Sequence, residues 1–279
     1  MQWTADGMQG WRKGLAAGLV AAAAVYLALV AAAVALEPLL LYAPVTERAV
    51  PPLDEDPRIR EVTITTADGQ SLVGWYAPPD PGKPVLLFFD GRHGSLAGQR
   101  YRWRRIRKAG VGCLAIAWRG TAGSTGRPSE TGLRLDAVAA WEWLARRHSP
   151  SDIVVHGHSL GTGPAVWLAQ HRPMRALVLE APFTAAVDVA QARAPLLPAS
   201  LLMRDRFVSR DYIGAVRVPV LVVHGDRDSA VPYSQGEQLY RLANQPKRFV
   251  RVRGGDHLTL TRDGLYGHIW DFIGMRRAS

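Results

Sequence analysis

Short apolar runs alternate with helix-length segments over most of the chain after residue 58. The apolar runs are residues 85–89, 113–118, 153–155, 176–179, 220–223 and 248–252, and the longer segments between them include residues 133–147, 160–171 and 234–243. Apolar strands with few polar positions are typical of a parallel sheet that is covered by helices on both faces. The alternation therefore predicts an α/β fold with a mostly parallel sheet.

Two regions depart from this alternation. Residues 61–65 and 71–76 flank an Asp68-Gly69 turn, a pattern that predicts an antiparallel hairpin. Between Pro182 and Pro219 the pattern loosens into Ala-rich and Leu-Leu-Pro stretches, which predict a short cap of one or two helices at about residues 183–217. The length of 279 residues suits one large domain, predicted at residues 59–279, with an N-terminal appendage.

Residues 15–36 contain no charged residue, and a helix of that length crosses the ~30 Å of bilayer hydrocarbon. A cleavable signal peptide is the alternative, because Arg12 and Lys13 precede the run and Ala33-Val34-Ala35 offers a cleavage site. The run exceeds the ~7–15 apolar residues usual in a signal peptide, so we favour an uncleaved transmembrane helix. A tail of residues 1–14 precedes it.

The charges that flank this segment predict its orientation. Arg12 and Lys13 precede it, whereas Glu37 and Glu47 outnumber Arg48 after it. The positive-inside rule then places the following domain of this single-pass membrane protein on the extracytoplasmic side. Residues 37–58, which are rich in Pro and acidic residues, are predicted to form an extended linker.

The net charge of +10 fits a nucleic-acid partner, an anionic lipid surface or simple solubility. The densest basic cluster, residues 100–108, interleaves Arg with aromatic residues, yet it also reads as an amphipathic helix with Trp103 and Ile106 on its apolar side. No nucleic-acid-binding motif accompanies it, so we predict no nucleic-acid partner. The single cysteine, Cys113, excludes an intramolecular disulfide and a Cys-based zinc site. We predict neither a metal nor a cofactor.

Residues 157–161 read Gly-His-Ser-Leu-Gly, a Gly-x-Ser-x-Gly motif that is weak evidence by itself. Its context strengthens it, because an apolar strand precedes the motif and a helical pattern begins at Leu160. Ser159 is therefore predicted on a strand-to-helix turn, and the backbone N–H of Leu160 becomes a candidate oxyanion donor. A glycine-lined turn with an incidental serine is the alternative.

A serine nucleophile needs a base that a carboxylate orients, and hydrolases with this motif carry them in the order Ser, acid, His. His257 lies on a Gly-rich loop after a predicted strand and is the predicted base. His268 falls in a helix-like stretch, and His224 precedes the acid candidates. Asp226 and Asp228 both follow the strand at residues 220–223, and their spacing does not choose between them.

Beyond the motif, the sequence resembles the Bem46-like, membrane-anchored branch of the α/β-hydrolases, close to its acyl-thioesterase and monoacylglycerol-lipase-like members. The likeness covers nearly the whole chain after the apolar segment, through residues 118–126, 128–133, Asp136, 157–161, 180–183, 224–232 and 254–257. The family pattern His-Gly-x-x-Asp-x-x-Val-Pro implies that Asp228 is the acid. It leaves Asp226 as a loop or hydrogen-bonding residue.

The resemblance also implies a second oxyanion donor in the loop after the first core strand. The family loop usually begins His-Gly-Asn, and here it reads Asp90-Gly91-Arg92 followed by His93 and Gly94. The implied donor is the backbone N–H of Arg92. Asp90 brings a carboxylate close to a site that must hold negative charge, which Arg92 or Arg119 could neutralise.

Together these residues predict a membrane-anchored serine hydrolase that cleaves ester or thioester bonds of acyl or lipid substrates through Ser159, His257 and Asp228. Phe183, Leu196 and Leu197 are candidate acyl-binding residues of the cap, with the alternative that cap leucines only seal it onto the core. A serine peptidase of the same fold and a catalytically silent membrane protein are the other two interpretations.

Overall fold

The computed structural model describes residues 5–48, 50–53, 56–92 and 96–275. Its eight-stranded sheet has the order β1-β2-β4-β3-β5-β6-β7-β8. The strands are β1 (Arg60–Thr65), β2 (Ser71–Ala77), β3 (Val85–Phe89), β4 (Gly112–Ile116), β5 (Ile153–His158), β6 (Ala176–Glu180), β7 (Val220–Gly225) and β8 (Lys247–Val252). β1 and β2 form the predicted antiparallel hairpin, and from β4 to β8 all neighbours are parallel. The α/β fold with a mostly parallel sheet, predicted from the alternation, is confirmed.

Both faces of the sheet are covered by helices, as the apolar strands predict. The described part of the chain contains the helices α1 (Ala5–Tyr42), α2 (Arg100–Lys108), α3 (Glu130–Ala145), α4 (Thr162–His171), α5 (Ala186–Arg193), α6 (Ala199–Leu202), α7 (Arg210–Ile213), α8 (Tyr233–Leu242) and α9 (Leu265–Phe272). Leu87 faces the core that includes Leu133 of α3, whereas Phe88 faces the opposite core with Ile106 of α2. Successive side chains of β3 thus serve two separate cores.

The chain divides into two units, Met1–Leu40 and Leu41–Ser279. The first consists, over its described residues, of the apolar helix. Among the described residues, one helical stretch, Trp11–Tyr42, is long and apolar enough to cross a membrane, with 32 residues and a mean hydropathy of 2.6 over its most apolar 18-residue window. The helix extends beyond the uncharged residues 15–36 at both ends. At its C-terminal end, Leu39, Leu40 and Leu41 resume the apolar pattern after Glu37 and Pro38.

The predicted linker of residues 37–58 is therefore wrong in part. Residues 37–42 are helical, and Tyr42 is buried. Asp56 is also buried, and its carboxylate binds the guanidinium groups of Arg58 and Arg107. Hydrogen bonds and burial hold Tyr42 and Asp56 in the second unit, whereas a solvated linker would leave them exposed. Residues 49, 54 and 55, and residues 1–4 of the predicted tail, lie outside the described residues.

The cap contains three short helices, α5, α6 and α7, where one or two were predicted. Pro195 and Pro198 separate α5 from α6, since proline cannot continue the hydrogen-bond ladder of a helix. Phe207 anchors the return of the cap, because it is buried and packs close to Gly163 of α4. The cap therefore rests on the helix that follows Ser159.

Candidate active site

Ser159 lies on a tight turn between β5 and α4. Its backbone has a φ of 51°, in the left-handed region that L-residues rarely adopt, and residues 159–161 form a short 3₁₀ turn before α4 begins at Thr162. A Cβ atom at Gly161 would lie 2.3 Å from the carbonyl oxygen of Phe89, and one at Gly157 would lie 2.6 Å from that of Gly161. Only glycine fits at both positions, so the motif glycines are required by packing around the turn.

Ser159, His257 and Asp228 form a continuous chain of hydrogen bonds. The Ser159 Oγ atom lies 2.9 Å from His257 Nε2. His257 Nδ1 lies 2.8 Å from Asp228 Oδ2. The three residues follow β5, β7 and β8, whose carboxyl ends meet at one edge of the sheet. The structure thus brings together the three side chains that the sequence singled out, in an arrangement in which the imidazole can accept the serine proton.

The Asp228 carboxylate is held in its charged form. Its side chain is fully buried, and its Oδ1 accepts the backbone N–H groups of Ala230 at 2.8 Å and Val231 at 2.7 Å. Burial alone would raise the pKa of Asp228, but hydrogen bonds from His224 and His257 hold it well below its usual range. His224 Nε2 lies 3.3 Å from Asp228 Oδ2. Sequence reasoning gave His224 no role, although its position at the end of β7, four residues before the acid, signals this contact.

Asp226 and Asp256 bind backbone N–H groups of the loops around the site. The His257 imidazole is hydrogen-bonded by Asp228 rather than by either of them. Asp226 Oδ1 accepts the Gly254 N–H at 2.7 Å, so it joins the end of β7 to the loop that carries His257. Asp256 Oδ1 accepts the Ser229 N–H at 2.9 Å and the His257 N–H at 2.7 Å. The loops of the acid and the base are thereby tied together. Asp226 has the hydrogen-bonding role that the family resemblance implied.

The loop after β3 passes directly against the nucleophile. A Cβ atom at Gly91 would lie 3.3 Å from the Ser159 Cβ, so the peptide that carries the Arg92 N–H is adjacent to the serine. Leu160, whose N–H is the other candidate donor, is buried at the first turn after Ser159. Both predicted oxyanion donors therefore belong to backbone at the nucleophile. His93 and Gly94 of this loop lie outside the described residues.

Asp90 is buried beside the same loop, and its carboxylate has partners that the sequence did not predict. Asp90 Oδ1 accepts the Gly91 N–H at 2.7 Å and lies 3.5 Å from His158 Nδ1. Arg119 does not neutralise it, which corrects one of the two expectations. The Arg119 guanidinium instead binds Asp68 at 2.8 Å and Asp136 at 2.8 Å, because both carboxylates face it across the loop after β4.

A buried ionic cluster lies beneath the nucleophile turn. Glu180, at the end of β6, accepts hydrogen bonds from both terminal nitrogens of Arg102 at 2.8 Å. His156 Nε2 lies 3.1 Å from the same carboxylate. His156 therefore belongs to a structural network. No group of three or more His, Cys, Asp or Glu side chains suited to a metal ion occurs in the part of the chain that the structure describes.

The three candidate acyl-binding residues occupy different environments. Phe183 is 3% exposed and belongs to the main core, whereas Leu196 is 85% exposed at the cap surface. Leu197 is half-buried. The structure therefore does not gather them on one buried surface, and a shared acyl-binding role for the three stays a prediction.

Known proteins similar to this chain agree with the geometry. A family model described as alpha/beta hydrolase fold matches residues 84–211. Uncharacterized protein Rv2307c of Mycobacterium tuberculosis is 40% identical over 205 residues, which cover 72% of this chain and 73% of that protein. The chain belongs to the α/β-hydrolase superfamily.

Two further relatives extend the comparison. Lysophosphatidylserine lipase ABHD12 of Danio rerio is 30% identical over 198 residues, which cover 62% of this chain and 51% of that protein. Among solved structures, the esterase Pf2001 of Pyrococcus furiosus superposes with a TM-score of 0.68 at 21% identity, over 84% of this chain and 98% of that chain. The second likeness shows the fold alone. Superfamily membership and these relatives support a hydrolase function for this α/β-hydrolase.

Proposed function

We propose that this α/β-hydrolase is a membrane-anchored serine esterase that cleaves ester or thioester bonds of acyl or lipid substrates. The observation that carries the proposal is the chain of hydrogen bonds from Ser159 Oγ through His257 to Asp228, with distances of 2.9 and 2.8 Å. A serine hydroxyl is a weak nucleophile until a base within hydrogen-bond reach can take its proton. This geometry supplies such a base.

The reaction proceeds through an acyl-enzyme. Ser159 Oγ attacks the substrate carbonyl while His257 Nε2 takes its proton, and the charged Asp228 stabilises the imidazolium that forms. The N–H groups of Leu160 and Arg92 donate to the oxyanion of the tetrahedral intermediate. His257 then returns the proton to the leaving alcohol or thiol. A water molecule, activated by the same imidazole, releases the acid and regenerates Ser159.

Two observations support an acyl or lipid substrate met at a membrane. The apolar helix of the first unit is long enough to serve as an anchor. The lipase from Danio rerio, a relative at 30% identity, acts on lysophosphatidylserine by its name. If the N-terminal segment is cleaved as a signal peptide, the membrane part of the proposal fails and the esterase part stands.

Labelling by a fluorophosphonate probe tests the assignment of the nucleophile and the acid. We expect Ser159→Ala to abolish labelling and Asp228→Asn to slow it by about 10³–10⁴-fold, since the imidazole loses its orienting carboxylate. Asp226→Asn is the matched control, because its carboxylate binds Gly254 and Arg251, and we expect it to lose less than about tenfold. Equal losses in the two Asp variants would contradict Asp228 as the acid.

The substrate class is tested with p-nitrophenyl esters of increasing acyl length and with aminoacyl-naphthylamides. Turnover that rises from acetyl to octanoyl esters supports an acyl substrate. Faster turnover of the aminoacyl-naphthylamides supports a peptidase of the same fold. A protein that neither reacts with the fluorophosphonate probe nor turns over either class of substrate would be the catalytically silent membrane protein.

A further inference from the structure

Among the described residues of the second unit, which we call the hydrolase unit, three leucines are almost fully exposed. Leu196 is 85% exposed, Leu201 83% and Leu258 80%. Burial of a leucine side chain is favourable, so their exposure leaves apolar surface available to a binding partner. Leu196 and Leu201 belong to the cap, and Leu258 directly follows His257. We call these three residues the leucine rim.

Hydrogen bonds connect the cap to the loop that carries His257. The Arg193 guanidinium donates to the carbonyl oxygen of Ser229 at 3.0 Å, and the Ser229 hydroxyl donates to Asp256 at 3.0 Å. Leu196 is three residues from Arg193, at most about 11 Å along an extended chain. Leu258 is two residues from Asp256, at most about 7 Å. Leu196 and Leu258 therefore lie close to the sheet edge where Ser159 and His257 meet.

The apolar helix is covalently attached next to the same cap. Leu41 and Tyr42 are the first residues of the hydrolase unit, and the Tyr42 hydroxyl donates to Asp205 Oδ2 at 2.7 Å. Asp205 follows Leu201 by four residues, at most about 14 Å of extended chain. The residue at which the chain enters the hydrolase unit is therefore held close to Leu201 of the cap.

The cap is also basic. Residues 183–217 contain five arginines and three acidic residues, so their formal charge is +2. The arginines are Arg193, Arg204, Arg206, Arg210 and Arg217, and the acidic residues are Asp188, Asp205 and Asp211, of which Asp188 pairs with Arg210. The exposed Arg193 lies three residues from Leu196, and the exposed Arg204 and Arg206 lie three and five residues from Leu201. Exposed leucines with arginines so near in the chain match an anionic bilayer, because the leucines enter the acyl region while the guanidinium groups bind lipid phosphates.

We propose that the leucine rim and the nearby arginines of the cap form a docking surface for an anionic phospholipid bilayer. The surface places the mouth of the Ser159 site against the lipids. This inference rests on the proposed membrane anchorage and names the partner surface of that site. A lipid ester would then pass from the bilayer to Ser159 without crossing water, which removes the free-energy cost of exposing its acyl chain.

Depth-dependent quenching in vesicles tests the proposal with the full chain. Cys113 is 1% exposed and burial raises the pKa of its thiol, so a single introduced cysteine can be labelled selectively with a nitrobenzoxadiazole fluorophore. The test variants are Leu201→Cys and Leu258→Cys. Leu242→Cys is the matched control, because Leu242 is 50% exposed and ends α8, which runs from the site edge of the sheet to the opposite edge.

In vesicles of phosphatidylcholine and phosphatidylserine that contain doxyl-labelled lipid, we expect at least twofold stronger quenching at positions 201 and 258 than at 242. In phosphatidylcholine alone, the difference should fall by at least half, because the phosphate-bound arginines lose the anionic surface potential. Equal quenching at all three positions overturns the proposal, as does a difference that is unchanged without phosphatidylserine. Vesicle flotation of the wild type and probe labelling of Ser159 report on the proposed function separately.

Discussion

Asp90 is the residue at which the site departs most from the family pattern. Its buried carboxylate accepts the Gly91 N–H at 2.7 Å, and Gly91 belongs to the backbone that passes against Ser159. The side chain therefore has two opposed effects in the proposed reaction. As a hydrogen-bond acceptor it holds the loop, and as a negative charge it disfavours an oxyanion nearby.

Asp90→Asn separates these two effects. The amide oxygen still accepts the Gly91 N–H, whereas the charge is gone. Removing one charge near a developing oxyanion is worth on the order of 1 kcal/mol, so we expect kcat on a p-nitrophenyl ester to rise about fivefold. Asp90→Ala is the control, and its kcat should fall, because the Gly91 N–H loses its acceptor. A fall of equal size in both variants would show that the charge itself is needed.

The sequence singles out Ser159 and His257 by local motif and chain order, and it singles out Asp228 by the family pattern at the end of its strand. Ser159, Asp228 and His257 each sit in a short motif at the end of a strand, and the structure brings them together. His224 and Asp256 were missed, because their roles depend on contacts between loops that local spacing does not reveal. Arg119 as a partner of Asp90 was wrong for the same reason, since Asp68 and Asp136 bind Arg119 instead.

At the scale of elements, the close approach of β3 to the nucleophile turn depends on Gly161. A Cβ at this position would lie 2.3 Å from the Phe89 carbonyl oxygen, and backbone cannot yield as a side-chain end can. We expect Gly161→Ala to lower the free energy of unfolding in urea by at least about 1–3 kcal/mol and to abolish probe labelling. Gly214→Ala is the control. Its Cβ would meet nothing closer than 3.9 Å, so it should change stability by less than about 1 kcal/mol.

The ionic cluster of β6 and α2 makes a second prediction at this scale. Burial alone would raise the pKa of Glu180, but the charge of Arg102 lowers it well below its ordinary value of 4.5. A carboxyl whose pKa is lowered by folding contributes stability above its unfolded pKa and loses it as the pH falls. Urea unfolding of the wild type should therefore show stability that falls as the pH drops below about 4.5, the ordinary Glu value.

Glu180→Gln should remove the share of that acid-dependent loss that Glu180 contributes and lower stability at neutral pH by about 3–5 kcal/mol, because Arg102 stays buried without a counter-charge. Glu142→Gln is the control, since Glu142 pairs with Arg172 at the surface and should contribute less than about 1 kcal/mol. Equal effects of the two substitutions would mean that the buried ion pair contributes no more to the free energy of unfolding than a surface ion pair.

Element boundaries show where local patterns stop being informative. The core strands were located within three residues, because a parallel sheet buried on both faces demands apolar runs. The linker and the cap were predicted less well. Tyr42 and Asp56 are ordered by partners distant in sequence, Asp205 and Arg107 respectively, and a Pro-rich or acidic composition does not reveal such partners.

For the whole molecule, the main prediction concerns the side of the membrane on which the hydrolase unit lies. Arg12 and Lys13 precede the uncharged segment, and Glu37 and Glu47 follow it with Arg48. The positive-inside rule then predicts a cytoplasmic N-terminus and an extracytoplasmic site. A fluorophosphonate probe that cannot cross membranes should label Ser159 in intact cells as strongly as in permeabilised cells, and Ser159→Ala sets the background.

The double variant Arg12→Glu, Lys13→Glu tests whether these charges are the cause. Reversing them removes the cytoplasmic bias of the N-terminus, so the fraction of protein labelled in intact cells should fall at least severalfold while labelling after permeabilisation is unchanged. Neither residue belongs to the hydrolase unit, so the site itself is left as it is. Wild-type labelling that appears only after permeabilisation would place the site in the cytoplasm, and the docking surface would then meet the anionic lipids of the inner leaflet.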